Sequence, residues 1–149
     1  MITPNYELHD ELGRGGQAVV YRARQTSLAR IVALKVIPAS SEAASDFELR
    51  LKRESRLLSR VNHPNLVKIF GSGELDGRPF LAMELVEGRT LKDLIESDPI
   101  EIRRRADALF DAILGAMEAL HGVQLIHRDL KPSNIMVTPR WRAVVMDLG

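Results

Sequence analysis

The spacing of apolar residues changes along this chain of 149 residues, and this change limits its fold more than any other feature. Up to about residue 85, short runs rich in β-branched residues recur between glycine-rich or polar turns, which is typical of antiparallel strands. Beyond about residue 90, apolar residues recur every three or four positions, as on one face of a helix. The sheet and most of the helices are therefore predicted to be segregated, which is the α+β class.

The first part of this pattern predicts five strands and one helix. The strands cover residues 6–12, 18–24, 30–37, 66–70 and 79–85, and the helix runs from about residue 46 to residue 61. Asp76–Gly77 is predicted as the hairpin turn between the last two strands, because such a pair readily adopts the conformation that a tight turn needs.

The second part predicts two helices and a final hairpin. Thr90 and Asp98 are the predicted N-caps, and Gly122 is predicted to end the longer helix. A β-hairpin over residues 134–146 completes the order. A boundary at about Glu87–Gly88 would then divide a sheet lobe, about residues 6–87, from a helical lobe, about residues 88–149.

Composition excludes several classes of function. The net charge of +1 gives no general attraction to nucleic acid or to an anionic membrane, and Arg103–Arg105 is interpreted as a solvated helix face. There are no cysteines, which rules out disulfides and thiolate metal sites. No apolar stretch approaches the roughly 18 residues that span a bilayer, and the N-terminus does not resemble a signal peptide. A cytoplasmic protein with no membrane segment is therefore expected.

Lys35 interrupts the apolar strand "VALKVI", of which both faces are predicted to be buried. Glu54 interrupts the apolar stripe of the helix that follows, between Leu51 and Leu58. Buried charges of opposite sign relieve each other when they pair, so an ion pair between Lys35 and Glu54 is favoured. In the alternative, Lys35 extends its ammonium group to water at a sheet edge and Glu54 faces solvent.

The glycine-rich segment "GRGGQAVVY" lies between two predicted strands. A dinucleotide-binding fingerprint needs a helix after its glycines, so that interpretation is poor. A glycine loop between antiparallel strands can offer backbone N–H groups to a triphosphate. By itself, the segment is equally compatible with an ordinary glycine-rich hairpin.

The segment "HRDLKPSN", residues 127–134, brings a histidine, an aspartate and an asparagine into one polar loop between a helix and a strand. By itself it is also compatible with a polar turn whose side chains satisfy one another. Phosphoryl transfer needs hard oxygen ligands for Mg²⁺ and a carboxylate that accepts the proton of the attacking hydroxyl. Asn134 and Asp147, 13 residues later, suit the first need, and Asp129 suits the second.

These segments, in this order, resemble the signature motifs of the eukaryotic-like protein serine/threonine kinases, over nearly the whole chain. Gly13, Gly15, Ala18 and Val20 are similar to the glycine-rich loop, and "VALK" to the motif of the phosphate-binding lysine. "MELVEG" is similar to the hinge, "HRDLKPSN" to the catalytic loop and "DLG", residues 147–149, to the magnesium motif. The resemblance implies a bilobal protein-kinase-like fold. A five-stranded antiparallel N-lobe sheet with a regulatory helix would precede the start of a mainly helical C-lobe.

The resemblance also implies ATP and Mg²⁺ as cofactors, and a role for each motif residue. The catalytic residues would be Asp129, Lys131 and Lys35, the last held by Glu54. The metal ligands would be Asn134 and Asp147. The nucleotide-binding residues would be Leu12, Gly13, Gly15, Val20, Ala33, Lys35, Met83, Glu84, Val86 and Met136.

Two positions depart from the family pattern. Ala18 replaces the third glycine of the loop, which removes access to positive φ and is expected to weaken ATP binding. Leu148 replaces an aromatic residue of the magnesium motif. Lys131 follows the pattern of serine/threonine kinases and Arg128 favours a protein substrate, so the implied acceptor is a protein serine or threonine.

Two functions are compatible with this resemblance. The first is an ATP-dependent protein serine/threonine kinase, whose activation segment would follow residue 149. The second is a catalytically inactive kinase fragment that binds nucleotide or another protein. The apolar stripe of the helix over about residues 99–121 would lose part of its cover in such a fragment, so self-association is expected.

Overall fold

The computed structural model describes residues 2, 3, 5–15, 18–37, 57 and 60–146. The chain divides into two compact units. The first contains Met1–Arg60 and Lys68–Leu85, and the second contains Val61–Val67 and Val86–Gly149. The predicted helix over residues 46–61 and the final "DLG" lie outside the described residues, apart from residues 57, 60 and 61.

The first unit is built on a six-stranded antiparallel sheet with the strand order β1-β2-β3-β4-β6-β5. Its strands are β1 (Ile2–Thr3), β2 (Tyr6–Arg14), β3 (Val19–Gln25), β4 (Arg30–Val36), β5 (Ile69–Leu75) and β6 (Arg78–Met83). Each of the five predicted strands overlaps a strand of this sheet, and the two-residue β1 extends the edge of the sheet beside β2.

One face of this sheet forms an apolar core. Val32, Leu34 and Val36 alternate along β4 and expose at most 4% of their surface. The buried cluster also includes Ala23, Leu75, Phe80 and Ala82, and the partly buried Tyr6, Leu8, Tyr21 and Phe70 pack against it. Because side chains alternate along a strand, Ala33 and Lys35 project from the opposite face of the sheet.

The turn between β5 and β6 has the predicted form. Asp76 and Gly77 have φ values of 50° and 71°, which places both residues in the left-handed region. A two-residue turn of this kind matches the twist of the strands that it joins. The prediction of a hairpin at Asp76–Gly77 is confirmed.

The second unit combines helices with a small antiparallel sheet. Its elements are β7 (Arg89–Thr90), α1 (Leu91–Ser97), α2 (Pro99–Gly122), β8 (Ile135–Val137) and β9 (Ala143–Val145). The sheet has three strands in the order β7-β8-β9. Within the residues that the structure describes, no helix combines the length and the apolar character needed to cross a membrane.

Both helices begin at the predicted caps. The Thr90 hydroxyl accepts a hydrogen bond from the Asp93 N–H at 3.1 Å, and the Asp98 carboxylate accepts one from the Glu101 N–H at 3.2 Å. Each cap satisfies an N–H group that has no partner within the helix. α2 ends at Gly122, as predicted.

The predicted strand over residues 66–70 is wrong in its first half. Leu66 and Val67 belong to the second unit, where Leu66 forms a parallel bridge with Val145. The Val67 N–H donates to the Val145 carbonyl at 2.9 Å. β5 begins only at Ile69. The prediction failed because an apolar run indicates that residues are buried but not which sheet their backbone joins.

The apolar stripe of α2 is only partly buried. Leu109 and Leu120 are at most 5% exposed, and Ala116 is fully buried. Phe110, by contrast, is 63% exposed and Leu114 is 44% exposed. Of the residues that the sequence predicts on this stripe, Leu109 and Leu120 are therefore buried, whereas Phe110 and Leu114 face solvent.

Candidate functional site

A polar loop joins α2 to β8 and carries residues that the sequence predicts to be catalytic. After Gly122 the chain changes direction, with positive φ values of 60° at Gln124 and 63° at Arg128. Pro132–Asn134 form one turn of 3-10 helix directly before β8. Both ends of the loop are therefore anchored on regular elements of the second unit.

Asn134 holds this loop together. Its side chain is buried, and its Nδ2 donates to the backbone carbonyl of Asp129 at 2.8 Å and to the Asp129 carboxylate at 3.0 Å. The backbone N–H of Asn134 donates to the carbonyl of Lys131 at 2.9 Å. The other polar atom of the side chain is Oδ1, an oxygen of the kind that Mg²⁺ prefers.

The Asp129 carboxylate is oriented but accessible. Its Oδ2 lies 2.8 Å from the Lys131 Nζ, and 56% of its side chain is exposed. The hydrogen bond from Lys131, and after it the one from Asn134, lowers the pKa of Asp129. This carboxylate is therefore ionised at neutral pH, with room beside it for a hydroxyl group.

His127 lies beneath the loop, with only 3% of its surface exposed. Its Nε2 is 2.7 Å from the carbonyl of Met146, and its Nδ1 accepts the Asp129 N–H at 3.3 Å. A carbonyl can only accept, so Nε2 carries the proton and Nδ1 is the acceptor. His127 thereby ties the residue before Asp147 to the backbone of Asp129.

The donor atoms of the loop suit a hard cation. Asn134 Oδ1 and the Asp129 carboxylate are oxygens, which favour Mg²⁺ over softer metals. Within the described ranges, no group of three or more histidine or acidic side chains could hold a metal ion. A magnesium ion bound here would need further oxygens, such as those of phosphate groups, and Asp147 lies outside the described residues.

In the first unit, several predicted nucleotide-binding residues share one face of the sheet. Lys35 lies opposite Val20 of β3 and Leu81 of β6 in the strand register, and Ala33 lies opposite Met83. Cross-strand partners project to the same side of a sheet. Ala33 and Met83 are buried, whereas Val20 and Lys35 are half-buried. This face therefore presents an ammonium group on an apolar surface, which suits an aromatic base that carries phosphates.

The glycine segment closes on itself between β2 and β3. Gly13 lies opposite Val20, and the Gly15 N–H donates to the carbonyl of Ala18 at 2.9 Å. A Cβ at Gly13 would meet no atom within 4 Å, so there is open space beside its backbone. A large group such as a phosphate could approach this backbone closely.

The other predicted nucleotide-binding residues occupy separate positions. Leu12 of β2 is 48% exposed, Val86 is buried in the second unit, and Met136 of β8 is half-buried. The Glu84 N–H donates to the carbonyl of Lys68 at 2.9 Å. The Glu84 N–H is therefore already engaged, and an adenine bound at residues 84–86 would have to form its hydrogen bonds with other backbone groups.

Of the predicted site residues, the structure brings Asp129, Lys131 and Asn134 together in the second unit. It also places Val20, Ala33, Lys35 and Met83 on one face of the first unit. The predicted pair between Lys35 and Glu54 is untested, because Glu54 lies outside the described residues. Two contacts were not predicted from the sequence. The first is the bonding of His127 to the Met146 carbonyl and the Asp129 N–H, and the second is an ion pair between Glu11 and Arg14 beside the glycines.

These features define the class of the protein. The family described as "Protein kinase domain" matches residues 6–149, which is nearly the whole chain. The chain therefore belongs to the protein kinase domain family, and its α+β fold is the kinase fold of that family.

Curated relatives share this family and extend well beyond the matched region. The chain is 38% identical over 148 residues to a probable serine/threonine-protein kinase of Streptomyces coelicolor, covering 97% of this chain and 22% of that protein. It is 38% identical over 153 residues to the serine/threonine-protein kinase PknB of Mycolicibacterium smegmatis, covering 99% of this chain and 24% of that protein. The chain thus spans about a quarter of the length of these relatives or less.

Two solved structures have the same fold. The apo form of PpkA-294 matches with a TM-score of 0.86 and 25% identity, over 100% of this chain and 60% of that one. The PknI kinase domain of Mycobacterium tuberculosis matches with a TM-score of 0.84 and 26% identity, over 99% of this chain and 60% of that one.

Proposed function

We propose that this chain is the N-terminal part of the catalytic domain of a protein serine/threonine kinase, which binds ATP with Mg²⁺ and transfers the γ-phosphate to a protein hydroxyl. The observation that carries this proposal is the ionised, accessible Asp129 held between Lys131 and Asn134. The names of the relatives, which are serine/threonine kinases, support the same class of reaction.

Asp129 would act on the acceptor hydroxyl. A carboxylate with a lowered pKa is a weak base at neutral pH, and a general base works best when its pKa lies near the working pH. Asp129 therefore contributes mainly by accepting a hydrogen bond from the hydroxyl and aligning it with the phosphorus. In a loose transition state the hydroxyl loses its proton late, and Asp129 takes it as the new P–O bond forms.

Lys131 would neutralise charge on the transferred group. Its ammonium has three N–H donors, and the bond to Asp129 at 2.8 Å uses one of them. The others can reach oxygens of the γ-phosphate while Asp129 holds the hydroxyl. A cation fixed where negative charge develops lowers the barrier without having to reorganise.

Asn134 and Asp147 would hold Mg²⁺, which neutralises phosphate charge when it is bound. The Nδ2 bonds of Asn134 to Asp129 fix the direction of its Oδ1. Lys35, with Glu54 as its partner, would bind the α- and β-phosphates. Val20, Ala33 and Met83 would provide the apolar surface for adenine on their face of the sheet.

A transfer assay tests this proposal. The chain is incubated with Mg²⁺, labelled ATP and a generic protein substrate such as casein, beside an Asp129→Asn variant and an exposed control, Ser133→Ala. Asp129→Asn should lower transfer by about 100-fold or more, because it removes the charge but keeps the shape. Ser133→Ala should transfer as the wild type does. Equal transfer by Asp129→Asn and the wild type would contradict the proposed role.

A second candidate is a binding module that holds nucleotide without catalysis. It is favoured by large apolar side chains exposed on the second unit, namely Ile100 at 70%, Phe110 at 63% and Ile126 at 69%. Exposed apolar side chains of this kind can contribute to a contact site for another protein where they lie together. A chain that binds the nucleotide in calorimetry but transfers no phosphate would support this candidate over the kinase.

A further inference from the structure

An arginine between two glycines of the loop is held by a carboxylate of the same strand. The Arg14 Nη2 lies 2.6 Å from the Glu11 Oε2, and the Arg14 Nε donates to the Glu11 Oε1 at 3.0 Å. Both oxygens of the carboxylate are therefore engaged by two nitrogens of one guanidinium. Such two-pronged pairs fix direction as well as distance, unlike a pair of point charges.

The pair spans an irregular part of the ladder between β2 and β3. The register shifts between Leu8 and Glu11, and shifts again between Glu11 and Gly13. Each shift puts an extra residue into β2 and interrupts the regular hydrogen bonding of the backbone. The Glu11–Arg14 pair crosses the second shift, so it supplies a connection where the ladder is interrupted.

The two side chains lie on the sheet face opposite Lys35. Arg14 pairs with Val19, and Val19 pairs with Val36, whose side chain lies in the apolar core. Gly13 pairs with Val20, and Val20 pairs with Lys35. The Glu11–Arg14 pair therefore contacts β2 on the face of the apolar core, and the backbone at Gly13 remains accessible on the face that carries Lys35.

Tyr21 adds to this connection. It lies opposite Glu11 in the register of β2 and β3. Hydrogen bonding to Glu11 raises the pKa of the Arg14 guanidinium, and Tyr21 makes a smaller contribution in the same direction. Tyr21 therefore lies beside the Glu11–Arg14 pair, on the neighbouring strand.

We propose that the Glu11–Arg14 pair is a positioning clamp, which holds the backbone of Gly13 and Gly15 ready to bind the phosphate groups of a nucleoside triphosphate. The inference rests on the proposed function of this face as a nucleotide site. Arg14 does not touch the phosphates, and it acts through the backbone that it holds. Ordering the loop before binding lowers the entropy that binding must overcome.

A direct contact between Arg14 and phosphate gives the opposite result for one variant. If Arg14 bound phosphate, Glu11→Gln would release the guanidinium and strengthen binding, whereas Arg14→Gln would weaken it. If the pair is a clamp, both changes weaken binding, and the double change weakens it no further than either alone. The sign of the Glu11→Gln effect therefore separates the two mechanisms.

The experiment measures affinity for a non-hydrolysable ATP analogue with Mg²⁺ by calorimetry, in the wild type, both single variants, the double variant and Arg14→Lys. Each single variant should bind about threefold more weakly, as expected for loss of one well-oriented surface pair. Arg14→Lys should also weaken binding, because an ammonium keeps the charge but not the two-pronged contact. Adenosine, which lacks phosphates, should bind all variants equally.

The matched control is a second exposed pair, between Glu7 of β2 and Arg24 of β3 at 3.7 Å, away from the glycines. Glu7→Gln should leave affinity for the analogue unchanged. Unchanged or tighter binding by Glu11→Gln, when the wild type binds, would overturn the clamp. If the wild type binds no analogue, the nucleotide site itself is wrong. Hydrogen exchange then tests the clamp without a nucleotide. The Gly13 and Gly15 amides should exchange faster in Glu11→Gln than in Glu7→Gln. Equal exchange rates in the two variants would overturn the clamp.

Discussion

The side-chain amide of Asn134 donates two hydrogen bonds to a single residue, Asp129, one to its carbonyl at 2.8 Å and one to its carboxylate at 3.0 Å. The carboxylate is thereby fixed relative to the backbone that carries it. Asn134 is buried and Asp129 is exposed, so an interior side chain orients one that solvent can reach. The proposed metal ligand therefore also positions the proposed partner of the acceptor hydroxyl.

Asn134→Ala tests this double role. The change removes both hydrogen bonds, and it should lower the free energy of unfolding by roughly 1–3 kcal/mol in thermal or urea unfolding. It should also lower phosphate transfer by at least about 100-fold, because the carboxylate loses its orientation and the metal loses a ligand. Ser133→Ala, at an exposed neighbour in the same turn, should change neither quantity. Wild-type transfer by Asn134→Ala would contradict both roles.

Lys131→Met tests the electrostatic coupling to Asp129. The lowered pKa of Asp129 depends first on the hydrogen bond from Lys131, so removing that cation should raise the pKa toward its ordinary value. Titration of the Asp129 carboxyl carbon by NMR measures this directly. Lys131→Arg, which keeps a cation, should keep the pKa low, and an unchanged titration in Lys131→Met would contradict the coupling.

The sign of the accompanying pH dependence follows from the direction of the shift. A carboxyl whose folded pKa is lowered stabilises the fold above its unfolded pKa, about 3.9. That contribution is lost as the pH falls through the lower folded pKa. In Lys131→Met the folded and unfolded pKa values lie closer together, so this contribution should be smaller and less stability should be lost on acidification, which acid unfolding of the two proteins can compare.

The strands of the first unit could be predicted because their side chains alternate or lie in short buried runs. β4 illustrates this, since Val32, Ala33 and Leu34 are buried on both faces of the sheet. Leu66 and Val67 could not be assigned correctly, because burial does not say which sheet a backbone joins. β1 and β7 have only two residues each, which is too short for a periodic pattern.

The candidate site in the loop over residues 127–134 could be predicted because its proposed functional residues are close in sequence. Asp129, Lys131 and Asn134 lie within six positions, so local backbone geometry suffices to bring them together. The clamp of Glu11 and Arg14 was not predictable in this way. It spans a register shift between β2 and β3, and the residue pattern of β2 does not indicate the position of that shift.

Gly88→Ala tests a close approach of two backbones in the second unit. A Cβ at Gly88 would lie 2.3 Å from the carbonyl oxygen of Val137, and a backbone atom cannot move aside as a flexible side chain can. The change should therefore disturb the pairing of β7 with β8 and lower the free energy of unfolding by roughly 1–3 kcal/mol. Gly122→Ala is the control, since a Cβ there would meet nothing within 4 Å. Equal melting temperatures of the two variants would contradict the predicted collision.

His127→Phe tests the buried link between the loop over residues 127–134 and Met146. Phenylalanine fills a similar space, but it cannot donate to the Met146 carbonyl, as the imidazole Nε2 does at 2.7 Å. The free energy of unfolding should fall by roughly 1–3 kcal/mol, because a hydrogen bond is lost inside the protein. The same change at His121, which is exposed, should have an effect within about 0.5 kcal/mol. In the wild type, nitrogen NMR should find the proton of His127 on Nε2, and a proton on Nδ1 instead would contradict the link.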